Sequence, residues 1–563
     1  MFMRLTFLGF FFLTCFICSS IESTALNNCA LNWIFAIVNV RTLRPALSKR
    51  EKANFHHPEH PNFEAKNYYA SCCCCCCSRT TIHSGRREIE NSSVGCLLGC
   101  ASFLGEMDKS DTGDLLSNGK FASPKEIILF TLIAHSSVLL RSSILLSMAA
   151  SSTSPHYHYF FLLCKHNLWL RFLVDYCCLI LPTVLAVSLF RDSIGSLLAC
   201  MLTISFALLY VGNFGSTTTV PTKRVQLLSG QFSDHHSVAI TYFRSYVLVA
   251  TSVCILAVDF STFPKRFCKT EQFGYSLMDV GVGMFTFANG LVSPVARMRT
   301  PKLCKELKNA LLLATIGLAR LVFVRWSGYV VNETEYGADW NFFFTLASLK
   351  ITVELVVISV LPVSCIVAVA AFVAVCYELA LQFAGLQVYL LETFATRQNT
   401  FFSLNREGLH SLFGYASLYL VGVHVGRLLF NFRQQLNEHN NVAGCWLPSR
   451  RLANASYVIW MCFLCIFDTL SIFVLVFFVG CLYLSIPAVC RNQSDVQWNW
   501  IFGSCLWTSI NKHGLLYFLL SNVITGMVNM TVATKTLNAS TSLVILVTYS
   551  FLGSLPFAIR SAA

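Results

Sequence analysis

Charge is scarce in this 563-residue chain. Asp, Glu, Lys and Arg together make up 12% of it against 55% for hydrophobic residues, and the mean hydropathy is +0.60. Soluble globular domains carry about a quarter charged residues, so a soluble domain of this length is excluded. Spaced cysteine pairs are also missing where they would matter. The run Cys72–Cys77 lacks the spacer residues of zinc-binding C-x2-C pairs and reads as low complexity, not as a metal site. Most of the 26 cysteines lie singly in apolar segments, where cysteine packs as a small hydrophobe. No H-x4-D arrangement occurs, which argues against a glycerolipid-type acyltransferase. An internal repeat is absent too, which argues against an inverted-repeat transporter. The net charge of +13 does not point to nucleic acid, because cations in such chains collect in loops and set orientation.

What is abundant is apolar sequence in runs of helix length. A helix needs about 20 apolar residues to cross a bilayer. Twelve segments qualify: 127–150, 169–190, 194–213, 239–260, 275–296, 307–331, 340–360, 361–382, 410–431, 456–486, 513–533 and 540–559. The stretch 340–382 is continuous and is divided near Pro362, while 456–486 is long enough to tilt. The predicted fold is all-α, a polytopic integral membrane protein. Residues 1–106 differ. Met1–Arg4 followed by apolar Leu5–Cys18 resembles a signal peptide, and the remainder is polar, rich in His and Cys, and without sustained periodicity. The chain therefore divides into an extension, 1–106, and a membrane domain, 107–563.

Orientation follows from lysines and arginines in short loops. The loop with Arg297, Arg299, Lys302, Lys305 and Lys308 is the most basic and is expected to be cytoplasmic. By alternation, 214–238 with Lys223 and Arg224, and 432–455 with Arg433, Arg450 and Arg451, share its side. Loops 261–274, 332–340 and 383–409 then share the opposite face. Lys265, Arg266 and Lys269 sit on that face against the positive-inside rule, so topology does not account for them.

Several polar groups stand where burial makes them costly. In "ILAVDFSTFPKRFCKTE", Asp259 closes the fourth segment, since Pro264 biases Phe263 away from helical geometry. A carboxylate there suits a general base, or else simply pairs with Lys265, Arg266 or Lys269. "NETEYGADWNFFF" places Glu333, Glu335, Tyr336 and Asp339 before an aromatic-rich helix start with Trp340 and Phe342–Phe344. "SLNREGLHSLFGY" puts Asn405, Arg406 and Glu407 at the mouth of the ninth segment, with Asn405 suited to an N-cap and Glu407 to the first turn, beside a binding role. Asp279 lies inside the fifth segment with Gly281 and Gly283, a site candidate by depth, the glycines fitting close helix packing. Arg244 and Arg320 invite the same reading. His424 imitates the buried histidine of membrane-bound O-acyltransferases or hydrogen-bonds a neighbouring helix.

Taken in order, "ILAVDFSTFPKRFCKTEQFGYSLMDVGVG", "TEYGADWNFFFT", "NREGLHSLFGY" and "FLLSNVITGMVN" resemble the signature blocks of the inositol acyltransferases of glycosylphosphatidylinositol (GPI) anchor synthesis. That family comprises phosphatidylinositol-glycan class W of animals and the fungal GPI-anchored wall transfer protein, and the resemblance covers roughly residues 107–563. It implies a multi-pass enzyme of the endoplasmic reticulum membrane with its active-site loops in the lumen. Such an enzyme moves a fatty acyl chain, usually palmitoyl, from acyl-CoA to the inositol 2-hydroxyl of glucosaminyl-phosphatidylinositol. No bound cofactor or metal is implied. The aspartate of the VDF block and the lysine ten residues later are the family's expected catalytic pair, here Asp259 and Lys269. Charge then assigns Lys265 and Arg266 to the substrate phosphate and Glu335 or Asp339 to the glucosamine ammonium. Tyr336, Asp279, Asn405, Arg406 and Glu407 complete the expected binding set. A polytopic transporter and a membrane-bound O-acyltransferase of another class, using His424, are the alternatives.

Two departures accompany the resemblance. Residues 1–106 match nothing in the family, whose members begin near the equivalent of Met107, and read as an upstream addition. The family also has thirteen spans. Its additional helix falls where this chain has the polar connector "NFRQQLNEHNNVAGCWL", so everything after about residue 445 is expected on the wrong side of the membrane.

Overall fold

No water is present in a bilayer core to take up backbone N–H and C=O groups, so an apolar chain there satisfies them within helices. The computed structural model follows this rule. It describes residues 122–150, 167–211, 238–299, 301–327, 335–357, 365–392, 400–431, 449–485 and 505–562, which belong to one compact unit. The extension 1–106, the predicted domain boundary, the break near Pro362, and Lys223, Arg224, Glu333 and Arg433 lie outside the described residues.

Among the described residues all regular elements are helical. They are α1 (Pro124–Ala150), α2 (Leu168–Leu179), α3 (Leu181–Val187), α4 (Ile194–Val211), α5 (Val238–Ala257), α6 (Leu277–Leu291), α7 (Leu303–Ser327) and α8 (Phe342–Leu349). Then follow α9 (Ile366–Phe383), α10 (Leu386–Leu391), α11 (Phe401–Leu404), α12 (Arg406–Asn431), α13 (Ala455–Ser485), α14 (Leu506–Lys512), α15 (Gly514–Thr531) and α16 (Ala539–Ala562). Nine helices among the described residues are long and apolar enough to cross a membrane, and three shorter apolar ones are Ile194–Tyr210, Leu277–Leu291 and Phe342–Val353. Each of the twelve predicted segments coincides with one of these. Cys178, Cys254, Cys465 and Cys505 are buried thiols, as packing hydrophobes should be.

Glycine sets the tightest contact. A methyl group at Gly290 of α6 would strike the Tyr419 carbonyl of α12, and methyls at Gly422 and Gly426 would strike the carbonyls of Phe287 and Leu291. The same register, 287 against 422 and 291 against 426, makes α6 and α12 parallel. Small residues allow such backbone approach where lipid supplies no hydrophobic drive between helices. Gly283 lies against Tyr457 and Met461 of α13, as close packing predicts, whereas Gly281 meets only Thr251.

The predicted orientation needs one correction. Arg450 and Arg451 were expected with the cytoplasmic loops, opposite to Asp259. Instead Arg450 pairs with Asp279 in the first turn of α6, Arg451 pairs with Glu407 in the first turn of α12, and the Ser449 hydroxyl donates to the Gln272 carbonyl. Tyr457 also meets Asp279 through a hydroxyl–carbonyl hydrogen bond, and Met461 lies against Gly283, so α13 runs parallel to α6. The 26 residues of α12 carry the chain about 39 Å away from its first turn. Ser449 is nevertheless back beside that turn. The reversal expected after about residue 445 therefore does not occur, and α13 starts on the side it would have with an additional crossing. Buried arginines held by buried acids are poor topology markers, because ion pairing fixes their place.

Candidate functional site

The end of the bundle where α5 stops and α6 starts gathers the predicted polar blocks. Asp259 follows the last turn of α5, and its half-buried carboxylate Oδ2 accepts a hydrogen bond from Asn529 Nδ2 on α15 at 2.7 Å. The chain then turns through Pro264 into a single 3-10 turn, Lys265–Phe267. Lys265 is exposed and makes no ion pair among the described residues. Arg266 is committed: it pairs with Glu126 of α1 at 3.0 Å and Asp192 at 2.9 Å, donates to the Arg191 carbonyl, and lies over the Phe267 ring. Its guanidinium ties this loop to α1 and the α3–α4 turn. Of the two cations expected at a substrate phosphate, only Lys265 is unengaged.

Lys269 comes next, at the edge of a second cluster. Its Nζ donates to Glu335 Oε1 at 2.6 Å, and its side chain is 39% exposed. Directly after it, Thr270 donates both its N–H and its hydroxyl to Asp279 Oδ2, at 3.1 and 2.7 Å. Asp279 Oδ1 takes Arg450 Nε at 2.7 Å. Asp279, expected to touch substrate, is instead buried and spent on three protein donors, and its task is to hold the residue beside Lys269. Arg450 also lies against Tyr336 and Glu335. Burial pushes the Glu335 carboxyl up, but Arg450 and Lys269 beside it, with Arg320 of α7, hold it below the usual carboxylate range. Burial pushes the Tyr336 phenol up.

The third block is a latch. Asn405, expected as an N-cap, turns its side chain elsewhere: Oδ1 accepts the N–H groups of Asp339 and Trp340 at 2.9 and 2.8 Å, while Nδ2 returns to Phe401 of α11. The Leu404 carbonyl accepts from Ala338, and the Gly408 N–H donates to Tyr336. Gly337 has φ +106, and a methyl there would collide with Leu404 and Asn405, so only glycine permits this approach. Arg406, under the Tyr389 ring, grips Glu392 through its carboxylate and carbonyl. Glu407 holds Arg451, and Asp339 pairs with Arg325 of α7. Asn405, Arg406 and Glu407 thus fix the 335–341 loop and the mouth of α12.

The predicted residues accordingly fall into linked groups on one face, as expected for loops 261–274, 332–340 and 383–409. Lys269, Glu335, Tyr336 and Asp279 come together, and Asn405, Arg406, Glu407 and Asp339 support them. Asp259 and Lys269 share one connecting segment, yet no hydrogen bond or ion pair joins them. His424 is 18 residues into α12, about 27 Å from its first turn, and lies by Gly422 and Gly426 against the other end of α6. It is remote from this face. Thr270 and Asn529 are not singled out by the sequence, and Arg450 is read there only as a topology cation. Asn529 ends the block "FLLSNVITGMVN" and so stands within a recognisable block. No group of three or more His, Cys, Asp or Glu suited to a metal ion exists among the described residues.

The GWT1 family model matches residues 108–559. The chain is 31% identical over 431 residues to the glucosaminyl-phosphatidylinositol-acyltransferase PIGW of Bos taurus, covering 67% of this chain and 84% of that protein. The Mus musculus protein of the same name is 32% identical over 444 residues, covering 68% and 86%. The GPI-anchored wall transfer protein 1 of Emericella nidulans is 32% identical over 398 residues, covering 66% and 82%.

Proposed function

This chain belongs to the GWT1 family, and from that premise we propose that it is an O-acyltransferase that acylates the inositol of glucosaminyl-phosphatidylinositol in GPI-anchor synthesis. Palmitoyl-CoA or a related acyl-CoA is the donor, the endoplasmic reticulum membrane is the site of action, and the Asp259 face is lumenal. No bound cofactor or metal takes part. The reading is carried above all by the presence of Asp259 and Lys269 on one braced connecting segment, within the family match.

The chemistry needs a base and an oxyanion partner. Asp259 takes the proton of the inositol 2-hydroxyl as its oxygen attacks the thioester carbonyl. The new C–O ester bond forms, the C–S bond breaks, and the CoA thiolate leaves and takes up a proton. Lys269 meets the negative charge on the carbonyl oxygen. A positioned base contributes about 10² to 10⁴ in rate, and one oxyanion donor roughly 10² to 10³. Lys265, exposed and unengaged, suits the substrate phosphate. Glu335, held ionised beside Lys269 and Arg450, and Asp339, paired with Arg325, are the acids on this face that suit the glucosamine ammonium. Tyr336 shapes the wall between them, and Asp279, Asn405, Arg406 and Glu407 keep the loops in place.

The test is acyl transfer in membranes from acyltransferase-deficient cells expressing this chain, supplied with labelled acyl-CoA and glucosaminyl-phosphatidylinositol. Acylated product that disappears in Asp259→Ala and Lys269→Ala is expected. Wild-type product levels in Asp259→Ala would sink the base assignment, and no product from the unaltered chain would sink the activity.

A further inference from the structure

We propose that Asn529 positions the Asp259 carboxylate through its amide N–H and offers its amide oxygen to a second hydroxyl of the polyol acceptor, adjacent to the one that reacts. The proposal rests on the reading of Asp259 as the base. Asn529 lies 270 residues from Asp259 in sequence, near the end of α15, and its Nδ2 donates to Asp259 Oδ2 at 2.7 Å. A carboxylate only accepts hydrogen bonds, so the amide nitrogen faces it and the amide oxygen turns away. That oxygen is buried and has no hydrogen-bond partner among the described residues. A buried acceptor left unpaired is costly, and native structures keep few of them.

Asn511 of α14 also reaches across to α5, at Thr241, and leaves its buried Oδ1 unpartnered, but it faces no carboxylate, and two other helical asparagines bond only within their own helix. Asn522, two turns earlier on α15, donates Nδ2 to its own helix at the Phe518 carbonyl, and Asn289 of α6 does the same at Phe285. Back-bonding of this kind serves the helix alone. Asn529 gives up that bond, reaches across to α5, and leaves an acceptor unused beside the base. Asp259 Oδ1 and Asn529 Oδ1 are then two acceptors outside the bond that joins these side chains, enough for two O–H groups of one polyol. Recognition of a polyol follows, with the fixed carboxylate deciding which hydroxyl loses its proton.

Asn529→Asp separates the two roles, because it keeps the shape and the acceptor but replaces the donor by a second carboxylate. In acyl-transfer assays on the full chain, its kcat at neutral pH is expected to fall at least about 10-fold with KM little changed. The acidic limb of kcat/KM moves up by about one pH unit, since a like charge disfavours the ionised base. Asn529→Leu removes both roles, so kcat falls about 100-fold and KM rises. An acceptor lipid lacking the neighbouring hydroxyl should react with the wild type about 10-fold less efficiently, and in Asn529→Leu, where only the positioning factor remains for it to lose, the two lipids should react alike. Equal turnover of both lipids by the wild type would overturn the recognition role. Activity lost in Asp259→Ala but unchanged in Asn529→Asp, with the pH profile unmoved, would overturn the positioning role alone. Activity retained in Asp259→Ala would remove the base reading and this proposal together.

Discussion

Two buried ion pairs in this molecule are nearly identical and serve different ends. Arg141 Nε meets Asp175 Oδ1 at 2.7 Å with side chains 2% and 4% exposed, and Arg450 Nε meets Asp279 Oδ1 at 2.7 Å with side chains 3% and 4% exposed. The difference lies in the second carboxylate oxygen. Asp175 Oδ2 accepts the N–H of Leu506 and anchors the start of α14. Asp279 Oδ2 accepts from Thr270 and anchors the residue next to Lys269. Burial and pair geometry therefore do not separate a wall from a working site. What the remaining oxygen holds does.

The largest effect is expected where neither pair is touched. Asp259→Ala should cut turnover by about 10² to 10⁴ with an unchanged melting profile, measured on purified protein, which would separate chemistry from bracing. Next come the pairs themselves. Arg141→Met and Arg450→Met each strand a buried carboxylate, at about 3–5 kcal/mol. Only Arg450→Met should also lower acyl transfer per folded molecule, because only its partner holds the Lys269 loop. Equal specific activity in the two variants would erase the distinction between the two pairs.

Smaller effects test the surroundings. Gly290→Ala forces α6 and α12 apart and should destabilise by about 1–3 kcal/mol in thermal melts. Gly281→Ala, whose new methyl meets only Thr251 at 3.4 Å, should stay within about 0.5 kcal/mol. The smallest effect concerns the Lys269–Glu335 bridge, screened by solvent and worth about 1 kcal/mol or less. Because Glu335 is held below the usual carboxylate range, the bridge stabilises at neutral pH and is lost as pH falls through the lowered value. The melting-temperature gap between wild type and Glu335→Gln should hold from neutral pH down to the ordinary carboxylate range and close progressively between there and the lowered value. A gap that closed near neutral pH would contradict the bridge.

Much of this was legible in the chain. The twelve apolar segments became twelve helices because hydropathy and length leave a membrane segment no other backbone solution. Ordered sequence blocks marked the loops that meet at one face. Partner choice was not legible. Asp279 sits at a depth that advertises a site, yet Arg450 and Thr270, 171 and 9 residues away in sequence, consume its oxygens. Arg450 and Arg451 counted as topology cations until their acids were seen beside them. Asn405 has the composition of a cap, but the 335–341 loop supplied better-placed donors.

By itself, then, the sequence determined the class of protein, the positions of its helices, its family and the segment that carries Asp259 and Lys269, since these depend on local hydropathy and on residues adjacent in the chain. The tertiary structure alone decided which side α13 begins on, which acid braces the Lys269 loop, and that Asn529 stands beside Asp259. Those outcomes depend on hydrogen bonds between groups as many as 270 residues apart, and such bonds form only once parallel helices bring their ends to one level.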